Sequence, residues 1–254
     1  MTLNRQVCAA TLAVMLGPAP CAHADDDDDE AGEGPAQTVE ELFAVGLAFP
    51  QEAHEVQLTL ALDGATGAAG EAAALELEAE YGITDWLQIA AGLPLAARWP
   101  PAPADAAYAL GDVELGALAA HALHPRLLVA LAAELTLPTG DDDRGLGEGE
   151  LTAGASLRAA VALPGFELHA LAGIELGDAL GAEYGLGLTV PIGPSWAATL
   201  EALAEAEDDA HRIEVAPGLV WRGPHALQLG AAARLFAGDG APDAGLSVLA
   251  VVEF

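Results

Sequence analysis

Residues 72–95 read AAALELEAEYGITDWLQIAAGLPL, two arms of alternating apolar and polar residues on either side of a short turn. In the first arm, leucine and alanine alternate with Glu76, Glu78 and Glu80. On a helix, at about 100° per residue, these glutamates would lie on scattered faces and leave no apolar stripe. A period of two is instead typical of a β-strand with one apolar and one polar face, so the stretch predicts a β-hairpin.

The same alternation continues from His54 to the C-terminus and predicts a series of antiparallel strands. Twelve strands are predicted, over residues 54–63, 72–81, 86–98, 110–122, 127–138, 149–162, 166–177, 182–192, 196–206, 211–222, 226–237 and 245–254.

The predicted connections alternate in length, which is typical of outer-membrane barrels with short turns at one end and longer loops at the other. Short connections rich in turn-forming residues follow the even strands, at 82–85, 124–126, 164–165, 193–195 and 223–225. Longer and mostly acidic connections follow the odd strands, among them 64–71, 99–109, 139–148 and 238–244.

The aromatic residues avoid the strand centres, as do the two aromatic girdles of a barrel that crosses a bilayer. One group of aromatic residues lies near the longer loops and includes Trp99, Tyr108, Tyr184 and Phe236. The predicted girdle at the short turns and the C-terminus consists of Tyr81, Trp86, Phe166, Trp196, Trp221 and Phe254.

The composition also indicates a membrane-spanning barrel. The chain is 53% hydrophobic, yet it has no unbroken apolar run of the roughly 20 residues that a membrane helix needs. The predicted fold is therefore all-β, a membrane-spanning antiparallel up-and-down barrel of about twelve strands over residues 54–254.

Residues 1–24 are predicted to be a signal peptide, with Arg5 before an apolar core at 7–16 and a small-x-small cleavage motif ending at Ala24. Both cysteines lie in this peptide, and lipid attachment at Cys21 is the alternative reading of its end. Cleavage after Ala24 would deliver a cysteine-free barrel to the outer membrane of a Gram-negative bacterium.

Residues 25–53 are predicted to form an acidic, partly disordered segment before the barrel. The tract Asp25–Glu30 has the composition of a solvated, disordered tail. Residues 38–49 suggest either a short helix capped by Thr38, with Glu41 at the third position, or an irregular entry strand. We expect this stretch to lie in or below the barrel as a plug.

The charge is strongly acidic. After the signal peptide the chain has seven arginines, no lysine and 39 acidic residues, a formal charge of −32. Such a field repels nucleic acid and attracts cations. If the apolar faces meet lipid, polar side chains line the lumen. The predicted lumen-lining residues are Glu76, Glu78, Glu80, Asp112, Glu114, Glu134, Glu150, Arg158, Glu167, His169, Glu201, Arg212, Glu214 and Arg234.

This lumen has two interpretations. The surplus of acid over base predicts a pore that favours cations, as rings of charged side chains do in channels. Alternatively, arginines bridge carboxylates across strands and the polar set only fills the barrel. Small residues such as Ala90, Gly92, Gly154, Gly185 and Gly187 would leave room in the interior.

An enzyme is not expected, and neither a cofactor nor a metal site is predicted. The only asparagine is Asn4, which excludes a lipase-like barrel that uses Ser, His and Asn. An outer-membrane protease would need acids and a histidine at the rim; residues 141–143, Asp208, Asp209 and His211 supply those types, but acidic loops are commonly plain solvated surface. The histidines lack metal-ligand spacing.

Several ordered motifs resemble a known family. YGITDWLQI (81–89), GLP (92–94), GDVELG (111–116) and LPTGD (137–141) are similar to strand edges and turns of the outer-membrane transporter family associated with the meta-pathway of phenol degradation. The resemblance implies a barrel of about twelve strands and passage of small aromatic or other hydrophobic molecules, but no binding residue.

The sequence therefore predicts a porin-like channel or transporter for small solutes with an acidic, cation-favouring lumen. The alternative is a plugged barrel that moves small hydrophobic or aromatic compounds, and a structural barrel is a third possibility. Expected partners are outer-membrane lipid, a small-molecule or ion cargo, and the barrel-assembly machinery, which would recognise the alternating last strand ending at Phe254.

Overall fold

The computed structural model describes residues 35, 37–101, 104–207 and 210–254. The predicted signal peptide and the acidic tract at 25–30 lie outside the described residues, as do Asp208 and Asp209.

From Val56 onward the described chain is built almost entirely of β-strands, with one 3-10 turn at Asp142–Arg144. The strands are β1 Val56–Gly67, β2 Gly70–Thr84, β3 Leu87–Trp99, β4 Ala107–Leu110, β5 Val113–His124, β6 Leu127–Leu137, β7 Thr152–Leu163, β8 Phe166–Leu176, β9 Leu180–Pro191, β10 Trp196–Glu207, β11 Ala210–Arg222, β12 Leu227–Gly238 and β13 Ala244–Glu253.

The strands form a closed antiparallel barrel. Apart from β4, each strand pairs with its neighbours along the barrel wall, and β13 pairs with β1 from Gln57 opposite Glu253 to Thr66 opposite Ala244. Beyond that ladder, Val56 and Phe254 exchange backbone hydrogen bonds of 3.2 and 2.9 Å. Because the barrel is closed, the backbone N–H and C=O groups of every wall strand can hydrogen-bond to a neighbouring strand, which lipid could not provide. The predicted all-β up-and-down barrel with twelve strand positions is confirmed.

One strand position differs from the prediction. A single strand was expected at 110–122, whereas β3 pairs with the short β4 over Leu95–Arg98 and with β5 over Leu87–Gly92. The interruption falls at Gly111 and Asp112, where the Gly111 amide donates to the Pro94 carbonyl at 2.8 Å. The chain therefore steps out of the ladder for two residues before it resumes the same position in the wall.

The connections define two ends of the barrel. The short-turn rim carries the connections 85–86, 125–126, 164–165, 192–195 and 223–226 together with Val56 and Phe254. At the opposite, long-loop rim, the long connections are 100–106, 138–151 and 239–243.

The predicted long loop at 64–71 was wrong. Strands β1 and β2 stay paired as far as Gly67 opposite Gly70, which leaves a two-residue turn. The residues on both arms there are almost all small, so they continue the ladder without a steric reason to leave it.

The outward face of the wall is apolar. Leu77 is 51% exposed and Leu186 is 67% exposed, and similar leucines recur on most strands. In the predicted girdle, Trp196 lies directly opposite Trp221 on the neighbouring strand. Tyr81, Trp86, Trp196 and Phe254 are exposed, whereas Phe166 and Trp221 are half-buried. An apolar wall of this kind suits a hydrocarbon surrounding.

Leu77→Arg should destabilise the barrel in lipid by about 2–4 kcal/mol, because it puts a charge near the middle of the apolar wall. Leu176→Arg, at the end of β8, should cost about 0–1 kcal/mol because a rim position reaches the interface. Urea unfolding of both variants in phospholipid vesicles measures the difference. Equal costs would contradict a lipid-facing wall.

Candidate functional site

The barrel interior contains an irregular stretch of the chain itself, residues 39–51, here called the inner segment. It has neither helix nor strand, so both shapes suggested by the sequence for residues 38–49 were wrong. Every residue of it except Glu40 is buried. Thr38, expected to cap a helix, instead donates from its amide and its hydroxyl to the Glu167 carboxylate at 3.1 and 2.5 Å.

The inner segment enters and leaves at the short-turn rim. Next to its start, the Glu40 amide donates to the Gln228 side chain at 2.7 Å, near the short-turn end of β12. Its last residue, Gln51, donates from its amide to the Gln88 side chain at 2.7 Å, near the short-turn end of β3. Between these ends the segment reaches Gly46, which lies against the Arg158 guanidinium in the middle of β7. The inner segment therefore fills the short-turn half of the lumen.

A single carboxylate holds the tip of the inner segment. Glu201 is fully buried on β10 and accepts hydrogen bonds from three consecutive backbone amides. The distances to its oxygens are 3.1 Å from Phe43, 2.6 Å from Ala44 and 2.9 Å from Val45. Hydrogen bonds to an ionised acceptor are roughly twice as strong as neutral ones. Glu201 thus replaces the partners that these amides would have in a helix or strand.

A second polar cluster anchors the other end. Both oxygens of Glu80 accept from side-chain amides: Gln88 at 2.5 Å, Gln57 at 2.6 Å and Gln51 at 3.2 Å. Gln51 also donates to Gln57 at 2.9 Å. These three glutamines were not among the predicted lumen-lining residues, although Gln57 and Gln88 occupy the inward-facing positions of their strands.

Small wall residues make room for the apolar side chains of the inner segment. A Cβ added to Gly185 would lie 3.1 Å from Val45, and one added to Gly187 would lie 3.3 Å from Leu42. Two strands along the wall, on β11, an added Cβ at Gly218 would come within 2.5 Å of Phe43. The interior space that the glycines leave is therefore occupied by the chain.

Arginine–carboxylate pairs occupy one part of the wall. Arg234 on β12 donates to both oxygens of Glu214 at 2.6 and 2.7 Å and to Asp63 at 2.7 Å. Arg158 on β7 pairs with Glu134 at 2.5 Å. Arg212 on β11 pairs with Glu205.

The wall formed by β2, β3 and β5 is different, because its only arginine is Arg98 at the long-loop end of β3. Glu76 and Glu78 are 2% and 1% exposed, and none of their carboxylate oxygens has a hydrogen-bond partner among the described residues. In the strand register, Gly92 pairs with Glu78 on one side and with Glu114 on the other. Glu76 and Glu78 are therefore buried carboxyl groups without a basic partner in the described residues.

Glu41 adds a further acid from the inner segment. It is 1% exposed; one of its oxygens accepts from the Leu42 amide at 3.3 Å and the other has no partner in the described part of the chain. Burial, with the nearby charge of Glu80, raises the pKa of Glu41 well above its usual range.

The connection 138–151 folds over the long-loop rim and is tied to the barrel by Asp112. The Asp112 carboxylate accepts from the Gly140 amide at 2.7 Å and from the Glu148 amide at 2.6 Å. Glu148 is exposed at the rim, but partial desolvation of its carboxyl, together with Glu175 and Asp112, raises its pKa to about 7. Glu148 therefore changes its charge near neutral pH at one mouth of the barrel.

The predicted lumen-lining residues divide into two sets. Asp112 and Glu150 lie in connections at the long-loop rim. The other twelve lie on strands and alternate with exposed residues, so they point inward. These are Glu76, Glu78, Glu80, Glu114, Glu134, Arg158, Glu167, His169, Glu201, Arg212, Glu214 and Arg234.

Two further observations bound the chemistry of the interior. Across the described residues, no group of three or more acidic, histidine or cysteine side chains is arranged to hold a metal ion. No helix in that part of the chain is long and apolar enough to span a membrane.

Comparison by sequence finds no match: no protein-family model fits the chain, and no curated protein resembles it. Solved structures do resemble it. An outer-membrane channel from Pseudomonas putida F1 matches with a TM-score of 0.66 and 13% identity, over 82% of this chain and 98% of that one.

Two more distant structures share the same architecture. The KdgM porin matches with a TM-score of 0.58 and 7% identity, over 78% of this chain and 99% of its own. LpxR from Salmonella typhimurium matches with a TM-score of 0.52 and 11% identity, over 77% and 99%. At these identities the likeness establishes the fold alone. The chain has the fold of bacterial outer-membrane β-barrels, a group that includes channels and porins.

Glu201→Ala should release the tip of the inner segment, because it leaves three buried amides without an acceptor, at about 1–3 kcal/mol each. Hydrogen exchange of the Phe43, Ala44 and Val45 amides should then accelerate by about tenfold or more. Glu207→Ala, at the exposed end of the same strand, is the matched control. Unchanged exchange in Glu201→Ala would mean that the carboxylate does not hold the segment.

Proposed function

We propose that the protein is an outer-membrane channel for small cationic or uncharged solutes, closed by the inner segment and opened when that segment moves. The observation that carries the proposal is the irregular segment 39–51 inside a closed barrel, held by side-chain contacts rather than by strand pairing. Segments held this way can exchange between positions more readily than strands of the wall can.

The wall charges support a preference for cations. Glu76 and Glu78 have no basic partner in the described residues, and Glu148 adds charge at the long-loop mouth. A solute that enters from the long-loop rim would meet this acidic wall before it reached the tip of the inner segment. Acidic linings attract cations and repel anions.

The alternative cargo is a small aromatic or hydrophobic compound, which the resemblance to the phenol-pathway transporter family implies. The interior cavity beside Glu41, Leu42 and Phe43 measures about 20 Å³, which accommodates a water molecule and no aromatic ring. Small polar solutes and cations are favoured instead by Glu76 and Glu78, which have no basic partner in the described residues.

Partners follow from the same proposal. The apolar outer wall suits outer-membrane lipid, and the alternating last strand with Phe254 is the proposed recognition signal for the barrel-assembly machinery. No cofactor is part of the proposed function.

The proposal is tested by tethering the inner segment. A Cβ at Gly185 would lie 3.1 and 3.3 Å from the two methyl carbons of Val45, so the pair Val45→Cys and Gly185→Cys is within reach of a disulfide. In planar bilayers the oxidised double variant should be silent, and reduction should restore cation-selective steps. The two single-cysteine variants should conduct in both redox states. An oxidised double variant that conducts like the wild type would overturn gating by this segment.

Glu148 makes the selectivity depend on pH. Because its pKa is about 7, the carboxyl is neutral in acid and gains charge as the pH rises. The preference for cations should therefore increase between about pH 5 and about pH 9, and the increase should be smaller in Glu148→Gln. Glu71→Gln, exposed at the same rim, is the control. Reversal potentials in a salt gradient provide the measurement, and an identical rise in Glu148→Gln would count against this role.

A further inference from the structure

A small interior cavity lies between the inner segment and the seam of the barrel. Its volume is about 20 Å³, and Glu41, Thr59, Asp63 and Ser247 contribute polar side chains to its lining. A cavity of this size accommodates one water molecule or one small ion.

The polar atoms around this cavity are acceptors for a cation. Glu41 has an oxygen without a hydrogen-bond partner in the described residues. Thr59 accepts from Gln57 at 3.3 Å, which leaves its oxygen a free lone pair. One oxygen of Asp63 accepts from Arg234 and from Ser247, and a carboxylate has a second oxygen to offer.

The charge around the cavity is negative even with Arg234 counted. Arg234 is shared by the carboxylates of Asp63 and Glu214, so that group keeps one negative charge when both acids are ionised. The strand register sets Glu78 opposite Thr59 and Glu76 opposite Ala61. These carboxyl groups lie on the strand next to the cavity lining, and a cation nearby would favour their ionised forms.

The lining also limits the kind of cation. The absence of any three-membered acidic, histidine or cysteine group in the described residues disfavours a transition metal or a fully chelated divalent ion. A hydroxyl and two single carboxylate oxygens are hard ligands suited to a small monovalent ion.

We propose that this cavity binds one sodium ion, coordinated by Glu41, Thr59 and Asp63, which fastens the inner segment to strand β1. The ion would replace the proton that burial otherwise keeps on Glu41 and would join the segment to the wall. This inference rests on the proposed function, since it makes sodium the ion that favours the closed channel.

Hydrogen exchange of refolded protein in detergent micelles tests the site, with sodium chloride compared with N-methyl-D-glucamine chloride at equal ionic strength. Sodium should slow exchange of the Phe43 and Ala44 amides by about tenfold, saturably, because binding to one state stabilises that state. Glu41→Gln keeps the shape and should lose the sodium effect. Glu71→Gln should retain it.

A second variant guards against a folding defect in Glu41→Gln. Thr59→Val removes one ligand oxygen at nearly constant volume and should raise the sodium concentration needed for half-maximal protection by about tenfold. Equal exchange in the two salts, or a full sodium effect in Glu41→Gln, would overturn the site. If the reduced cysteine pair conducts while sodium has no effect on exchange, the sodium site is wrong and the channel proposal is retained. If sodium slows amide exchange but the reduced protein does not conduct, the channel proposal is wrong and the sodium site is retained.

Discussion

A chain segment without secondary structure can lie inside a barrel only if the wall provides partners for its backbone amides. Glu201 does this for Phe43, Ala44 and Val45, and it is the contact on which the arrangement of the lumen depends. The cost of burying this carboxylate is offset by three donors that would otherwise be unsatisfied. The glycines at 185, 187 and 218 matter because they let the wall approach the segment closely enough for that contact.

The interior divides its charges by position. Arg158, Arg212 and Arg234 each neutralise carboxylates on or beside their own strands. The wall of β2, β3 and β5 lacks such partners, so its acids act on whatever occupies the lumen. The ion pairs are thus concentrated on one side of the lumen, whereas Glu76 and Glu78 on the other side have no such partner in the described residues. The arginine–carboxylate bridges that the sequence allowed are present at these three arginines, and the acidic, cation-favouring lining stays a prediction.

Alternation predicted most of the fold. A period of two identified the strands within a few residues and gave the inward parity of Glu76, Glu78 and Glu201, because strand pairing repeats that period directly. The division at Gly111 was not predictable, since it depends on Pro94 in the neighbouring strand. The shape of the inner segment could not be predicted from the sequence either. It depends on hydrogen bonds from Thr38 to Glu167 and from Phe43 to Glu201, partners more than a hundred residues away that no local pattern encodes.

The seam between β1 and β13 joins residues from nearly opposite ends of the barrel sequence. Pairing at such a separation carries the largest loop-closure entropy in the molecule, which makes it the natural last event of folding. The inner segment is covalently continuous with β1 and is surrounded once that seam closes. The pairing that closes the ring is therefore the same one that encloses the segment.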